Sequence, residues 1–296
     1  SSTSAMEKEK LFQRIRNLPL VSAKLLEGIF AGNYRSVFRG PGLEFDEVRE
    51  YTEGDDMRNI DWNVSSRMGS PYAKTFREER ELVLSLVIDV SASLDQGIGE
   101  ISKRDMAMIL GAIFAFAAVH NNDRVGGVFY SDRIEKWVPP SKGRKHVASL
   151  IQDMENLHAA GSGSDLGLAL KTVYESLSSR GICVIFSDFR TASGWNELTL
   201  LSRKHDVIAV RITDAGDKEI PIKGSLSLRD PERGHRILAS GRSKAFRRAY
   251  ADFWDTQEIL FQRECRRRRI QVLDVDTADD PVAKVLAFFK SRRRSA

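Results

Sequence analysis

From residue 82 onwards, short apolar runs alternate with longer segments of helical periodicity. Five of the runs are rich in β-branched residues with almost no polar interruption, which is typical of strands covered on both faces of a parallel sheet. They are 82–90, 124–132, 181–189, 206–214 and 270–276. Helices are predicted near 102–120, 143–158, 165–179, 195–204, 242–269 and 280–290. This alternation predicts a doubly wound α/β fold, with a mostly parallel sheet and helices on both faces.

Two segments do not follow the alternation. Residues 221–240 contain two alternating runs around the turn-forming sequence DPERG, which predicts a β-hairpin inserted in the sheet domain. Upstream, a helix is predicted over 7–31, followed by polar, glycine-containing sequence. Two short strands are expected there, at 44–51 and 72–77. We therefore divide the chain into an N-terminal module, residues 1–80, and a sheet domain, residues 81–296.

The positive charge of the chain is concentrated at its C-terminal end. The 296 residues carry a net charge of +5, and residues 242–296 contain 14 Lys and Arg against 8 Asp and Glu. The basic runs 266–269 and 292–294 would suit nucleic acid, an anionic membrane surface or an acidic partner. They would equally suit a solvated helix face, and no interleaved aromatic residues or binding motif favour nucleic acid.

Cysteine content and apolar runs favour a cytoplasmic protein. The chain has two cysteines, and Cys183 lies inside a strongly apolar run, so a disulfide framework is not expected. The most apolar stretch, 106–119, is too short to cross a bilayer and suits a buried helix. We recognise no signal peptide. Contact with a membrane is expected to be peripheral at most.

Acidic residues occur where the predicted strands end. They are Asp89, Asp132, Asp188, Asp214, Asp274 and Asp276. In open α/β sheets, ligands bind at the carboxyl ends of the strands, near the point where the strand order reverses. We therefore expect these carboxylates to face a common crevice, and converging carboxylates suggest a cation.

Hydroxyl groups accompany two of the expected loops, and Asp188 stands at a third. The sequence LVIDVSAS (86–93) ends a strand on one carboxylate and two serines, and GSGSDLG (161–167) precedes a helix. The candidate metal ligands, direct or through water, are Asp89, Ser91, Ser93, Ser164, Asp165 and Asp188. These hard oxygen donors favour Mg²⁺, with Mn²⁺ or Ca²⁺ as alternatives. An ion held by few carboxylates keeps positive charge and attracts an acidic residue of a protein partner. Taken alone, DVSAS is equally compatible with a capped turn.

The pattern Asp89, Ser91, Ser93, then Ser164, then Asp188 resembles the metal-ion-dependent adhesion site of von Willebrand factor A domains. That family usually has threonine in the second loop. Here the resemblance places Ser164 at that position, with Asp165 as the alternative, and serine lacks the methyl group that stiffens the threonine side chain. The resemblance implies a von Willebrand A-like fold and a non-enzymatic interaction module.

A second resemblance lies upstream, in the sequence GPGLEFDEVREYTEGDDMRNIDWNVSSR (40–67). Structurally, we expect Gly54 to form a tight turn, Trp62 to pack on the sheet domain, and Asp and Arg side chains to pair. The stretch resembles the signature of the family known as domain of unknown function 58, with Ser66 where the family has alanine. The resemblance continues through KTFREEREL (74–82) and covers about 33–230.

This family resemblance implies a partner. It implies that the gene stands beside one for a MoxR-type AAA+ ATPase, and that the protein is its adaptor in chaperone-like maturation or in stress responses. Two other functions stay open: nucleic-acid or anionic-surface binding through the basic end, and Mg²⁺-dependent phosphohydrolysis. Against hydrolysis, Ser91 stands where haloacid-dehalogenase-like phosphatases have a second Asp, and neither a phosphate-binding loop nor a nucleophile elbow is present.

Overall fold

The structure is a computed structural model, which describes residues 45–76, 82–95, 97–161, 163–190, 193–218, 225–229, 236–240 and 243–295. The helix predicted over 7–31 lies outside these residues. The described part opens with strand β1 (Phe45–Glu50), helix α1 (Trp62–Met68) and strand β2 (Tyr72–Phe76). β1 and β2 pair antiparallel, so the two short strands expected in the N-terminal module are present.

Further strands follow along the chain. They are β3 (Val83–Asp89), β4 (Arg124–Tyr130), β5 (Ile134–Ser141), β6 (Ile182–Ser187), β7 (Asp206–Thr213), β8 (Ser225–Arg229), β9 (Arg236–Ser240) and β10 (Gln271–Asp276). Six of them form one sheet in the order β10-β7-β6-β3-β4-β5. All neighbours in it are parallel except β4 and β5. β8 and β9 form a separate antiparallel pair, at the position of the predicted hairpin.

The sequence pattern did not predict β5. This strand lies at the edge of the sheet, contains Pro139 and Pro140, and is mostly half-buried or exposed. Proline is tolerated on an edge strand because one side of the strand makes no ladder hydrogen bonds. An edge strand of this composition therefore lacks the continuous apolar run by which the other five strands of the sheet were recognised.

Helices cover both faces of the sheet. They are α2 (Lys103–His120), α3 (Arg144–Asn156), α4 (Leu166–Ser176), α5 (Trp195–Lys204), α6 (Lys244–Arg267) and α7 (Pro281–Ser295). Side chains of β3 point alternately to the two sides: Leu84, Leu86 and Ile88 pack with α2, α3 and α7, whereas Val83 and Val87 pack with α4, α5 and α6. The predicted doubly wound α/β class, with a mostly parallel sheet and helices on both faces, is confirmed.

The connections place a topological switch at the centre of the sheet. From β3 the chain passes through α2 to β4 on one side, and β6 pairs with the other side of β3. Loops that leave β3 and β6 therefore diverge at their carboxyl ends, where α/β folds bind ligands. None of the helices in the described ranges has the length and apolarity to cross a membrane.

Candidate functional site

Asp89 ends β3 at this switch point, and its side chain is buried. The residue is 1% exposed. Its Oδ1 accepts a hydrogen bond from the backbone N–H of Ser91 at 2.9 Å. Its Oδ2 accepts from the hydroxyls of Ser164 at 2.9 Å and Ser187 at 2.8 Å, with the Tyr130 hydroxyl at 3.4 Å. All these donors are neutral.

The electrostatics of this carboxylate follow from its burial, because no cationic side chain pairs with it within the described residues. Burial raises the pKa of Asp89 above its ordinary value, although hydrogen bonds from Ser91, Ser187 and Ser164 act to lower it. Burial and the nearby charge of Asp89 raise the pKa of Tyr130 well above its usual value. Ionised Asp89 therefore carries a desolvation cost that these neutral donors only partly offset, and a bound cation would offset more of it.

The first loop brings both of its serines to the same place. After β3 the chain enters a short 3₁₀ turn, Ala92–Asp95, in which the N–H of Leu94 donates to the carbonyl of Ser91. The Ser91 and Ser93 hydroxyl oxygens are 3.1 Å apart. Ser91 is buried and Ser93 is half-buried, so their hydroxyls connect the interior at Asp89 with the surface.

The second loop separates the two candidates that the sequence left open. The Ser164 hydroxyl contacts Asp89. The carboxylate of Asp165 instead accepts from the N–H of Leu168 at 3.0 Å and caps the start of α4, and its side chain is exposed. Among the described contacts, Ser164 is thus the second-loop residue that joins the cluster.

Asp188, the candidate of the third loop, is held by a lysine. Its Oδ2 is 3.0 Å from the ammonium nitrogen of Lys103, and its Oδ1 accepts from the N–H of Arg190 at 3.2 Å. Lys103 is only 1% exposed and also contacts Asp217, with 2.8 Å between its nitrogen and Oδ1. The negative charge of Asp188 is therefore compensated, in contrast to that of Asp89.

The sequence interpretation missed Ser187 and Tyr130. Both are the last residues of strands that flank β3, and the parallel register aligns Tyr130 directly with Asp89 and Phe186 with Ile88. Polar groups at the ends of adjacent parallel strands lie close together. Once the strand order is known, the polar residues at the ends of the two strands beside β3 could therefore be identified as neighbours of Asp89.

The other strand-end carboxylates lie apart from Asp89. A cleft of about 420 Å³ beside β7, β10 and α6 is lined by Asp188, Asp214, Asp274 and Asp276, among other residues. Cationic side chains line it as well: Arg190, Arg211, Lys218 and Lys284. The expectation of one common crevice is confirmed for these four carboxylates. It is wrong for Asp89 and Asp132, which do not line the cleft, because β7 and β10 lie on one half of the sheet and β4 lies on the other.

The N-terminal signature has a structural role in the part that the structure describes. Gly54 has φ +111°, and Asp55 pairs with Arg49 at 2.6 Å. Asp61 caps α1 by accepting from the N–H groups of the next turn. The predicted turn at Gly54 and the predicted Asp–Arg pairing are confirmed, whereas the cap at Asp61 was not predicted. The prediction that Trp62 packs on the sheet domain is wrong: it is 70% exposed, because α1 buries none of its residues and offers no core for the ring.

Comparisons with known proteins give relatives along nearly the whole chain. An uncharacterised protein of Mycobacterium tuberculosis (strain ATCC 25618 / H37Rv) is 31% identical over 290 residues, which cover 97% of this chain and 91% of the relative. An aerotolerance-related membrane protein from Bacteroides fragilis has 16% identity and a TM-score of 0.46, over 73% of this chain and all of that chain. A von Willebrand factor type A structure from Catenulispora acidiphila has 13% identity and a TM-score of 0.38, over 76% of this chain and 43% of that chain.

The family comparison agrees with the signature that the sequence displays. The model of the family described as "Protein of unknown function DUF58" matches residues 47–259. This match begins inside the N-terminal signature, includes the whole cluster around Asp89 and ends within α6, beyond the limit of about residue 230 suggested by the motifs. With more than two thirds of its length matched, this chain belongs to the DUF58 family.

Proposed function

We propose that the protein is a non-enzymatic interaction module that contacts an acidic residue of a partner protein through a divalent ion held at Asp89. The observation that carries the proposal is a buried carboxylate at the switch point of the sheet. Its hydrogen-bond partners in the part of the chain that the structure describes are all neutral. Mg²⁺ is the first candidate, with Mn²⁺ and Ca²⁺ as alternatives.

The oxygen atoms of the cluster suit such an ion. Adjacent oxygen ligands of Mg²⁺, at about 2.0–2.1 Å from the metal, are about 2.9 Å apart. The hydroxyl oxygens of Ser91 and Ser93 are 3.1 Å apart, and that of Ser164 is 2.9 Å from Asp89 Oδ2. Within the described residues, no group of three or more His, Cys, Asp or Glu side chains is arranged to hold a metal. The proposed site therefore depends on serine hydroxyls and water beside one carboxylate.

When bound, the ion would supply an exchangeable coordination position and residual positive charge. Asp89, Ser91, Ser93 and Ser164 would hold it, while Asp165 caps α4 and Asp188 pairs with Lys103. Neutral hydroxyl ligands leave much of the charge of the ion uncompensated, so a carboxylate from another protein can complete the coordination. By resemblance to the family, we extend the proposal to a MoxR-type AAA+ ATPase as the partner and to an adaptor role in maturation or stress response.

Neither alternative function is favoured by a specific observation. Around Asp89, the hydrogen-bond partners within the described residues are serine groups and a tyrosine of raised pKa, which makes a poor general base. At the basic end, Arg267 and Arg268 pair with Glu264, which offsets part of the charge that would attract nucleic acid.

Thermal unfolding in EDTA, Mg²⁺, Mn²⁺ and Ca²⁺ tests the ion site. At an ion concentration of about one hundred times Kd, the melting temperature of wild type should rise by about 5 °C or more. Asp89→Asn should abolish the rise. Asp165→Ser is the matched control, because it removes a nearby carboxylate but keeps a good helix cap, and it should respond like wild type. Equal shifts in wild type and Asp89→Asn would refute the site.

The Asp89→Asn variant should fold well without metal. The pKa of Asp89 is raised in the folded state. The free energy of unfolding is therefore highest below the pKa that Asp89 has in the unfolded chain, and it falls as the pH rises through the folded-state pKa. At neutral pH in EDTA, Asp89→Asn should therefore be at least as stable as wild type. Co-purification from the native cell, with and without chelator, then tests whether partner binding depends on the ion.

A further inference from the structure

Lys103 is a buried cation beside the candidate site that none of the sequence motifs includes. As the first residue of α2, it extends its ammonium nitrogen to Asp188 Oδ2 at 3.0 Å and to Asp217 Oδ1 at 2.8 Å. The residue is 1% exposed. A lysine is buried at this cost only where carboxylates compensate its charge, and here two of them do so.

The cluster around Lys103 is close to electrically neutral. Asp217 also lies 3.7 Å from the guanidinium of Arg190, which stacks on the ring of Trp254 at 4.0 Å from its centroid. Two carboxylates thus face two cations in this cluster. Asp89, by contrast, faces neutral hydroxyl and N–H donors. Asp89 and Asp188, two of the three carboxylates that the sequence assigned to one ion, therefore have different electrostatic environments.

We infer that Lys103 is a built-in counter-cation that keeps Asp188 from coordinating the ion, so that Asp89 is the single carboxylate in the site. This inference rests on the proposed function and names the residue that sets the charge of the site. With one carboxylate rather than two, the ion is bound more weakly but keeps more positive charge. Lys103 thereby favours a partner that brings its own carboxylate, and it acts as a positioning residue through Asp188.

Removing the charge of Lys103 should have two measurable consequences. Lys103→Met keeps an unbranched side chain but leaves Asp188 without its ammonium partner. In EDTA the melting temperature should fall by about 5–10 °C, because a buried carboxylate loses its compensation. Mn²⁺ should bind about tenfold tighter than to wild type, since Asp188 becomes available to attract the ion. A merely structural role for Lys103 would lower stability without tightening Mn²⁺ binding.

The double variant Lys103→Met/Asp188→Asn separates ligation from electrostatics. The double variant replaces a buried ion pair with neutral side chains, and such a replacement is often tolerated. It can therefore test whether Asp188 is a ligand even if Lys103→Met does not fold. If Asp188 is not a ligand, the double variant should bind Mn²⁺ within about threefold of wild type. A loss of more than tenfold would show that Asp188 coordinates the ion and would overturn the inference.

Isothermal titration of the full chain with MnCl₂ distinguishes this inference from the proposed function. Mn²⁺ binding to wild type with no tightening in folded Lys103→Met would refute the counter-cation and leave the proposed function standing. If wild type binds no Mn²⁺, the proposed function fails, and the inference that rests on it fails as well, whether or not Lys103→Met binds the ion.

Discussion

Asp214, at the end of β7, joins three segments of the chain, and its replacement by alanine should be strongly destabilising. Its carboxylate accepts from the N–H groups of Ile98 at 2.8 Å and Gly99 at 3.2 Å, in the segment that follows the first loop of the site. It also accepts from the N–H of Gly216 at 2.8 Å and from the hydroxyl of Thr277 at 2.7 Å, just after β10. The side chain is buried, so alanine would leave these donors without the carboxylate that accepts from them.

The size of the loss follows from these four bonds. A hydrogen bond to a charged group contributes about 1.5–3 kcal/mol. The exposed segment around Ile98 can be solvated after the substitution, and bonds to one acceptor are not additive. We therefore expect the free energy of unfolding to fall by about 4 kcal/mol, and the melting temperature by about 10 °C.

Urea unfolding followed by circular dichroism measures this loss. The control is Asp255→Ala, which removes an exposed ion pair with Lys218 and should cost less than about 1 kcal/mol. A loss for Asp214→Ala as small as that of the control would refute the assigned role. Burial acts to raise the pKa of Asp214, but hydrogen bonds from Ile98, Thr277 and Gly216 outweigh it, so the pKa is lowered. The contribution is thus present above the unfolded pKa and should be lost as the pH falls through the folded one.

Two further predictions concern buried rings on either side of the sheet. Burial lowers the pKa of His205 to about 4, and the ring accepts from the N–H of Gly181 at 3.1 Å. Because the unfolded chain takes up a proton near pH 6.5, the free energy of unfolding should fall by about 3 kcal/mol between pH 6.5 and 4. His205→Asn, measured in the same urea titrations, should flatten this dependence; an unchanged slope would contradict the assignment. Phe114 packs edge-to-face with Phe186 and Phe289, so Phe114→Ala should lower the free energy of unfolding by about 3–5 kcal/mol, and a loss below about 1 kcal/mol would show that the α2–α7 contact adds little.

Sequence patterns predicted the elements in which most consecutive residues are apolar. All five apolar runs became strands of one sheet. The four central strands are covered on both faces and therefore have an apolar side chain at nearly every position, whereas β10 lies at an edge and is mostly half-buried. The sequence pattern did not predict strand β5, because this strand is buried on one face only and contains two prolines, which an edge strand tolerates. At the site, Asp89, Ser91 and Ser93 were predictable together, since they occupy one loop.

Only the tertiary structure decides between Ser164 and Asp165 as the second-loop residue of the cluster. It also decides which charges surround Asp188. Asp165 and Ser164 are adjacent in the sequence, and only the start of α4 shows that one caps the helix while the other reaches Asp89. Lys103 lies 85 residues before Asp188 and carries no motif, so its contact depends on how α2 packs beside β6. Trp62 shows the converse: its aromatic character suggested burial, but the helix that carries it buries nothing.

The sequence by itself determined the doubly wound class, the family and the first loop of the candidate site, because periodicity and short motifs are local properties of the chain. Tertiary structure decided which strand ends meet, that Asp188 receives a counter-charge from Lys103, and that Asp89 is surrounded by neutral donors in the described part of the chain. Those outcomes depend on strand order and helix packing, which join residues far apart in sequence at distances of about 3 Å, where the energies of hydrogen bonds and ion pairs are determined.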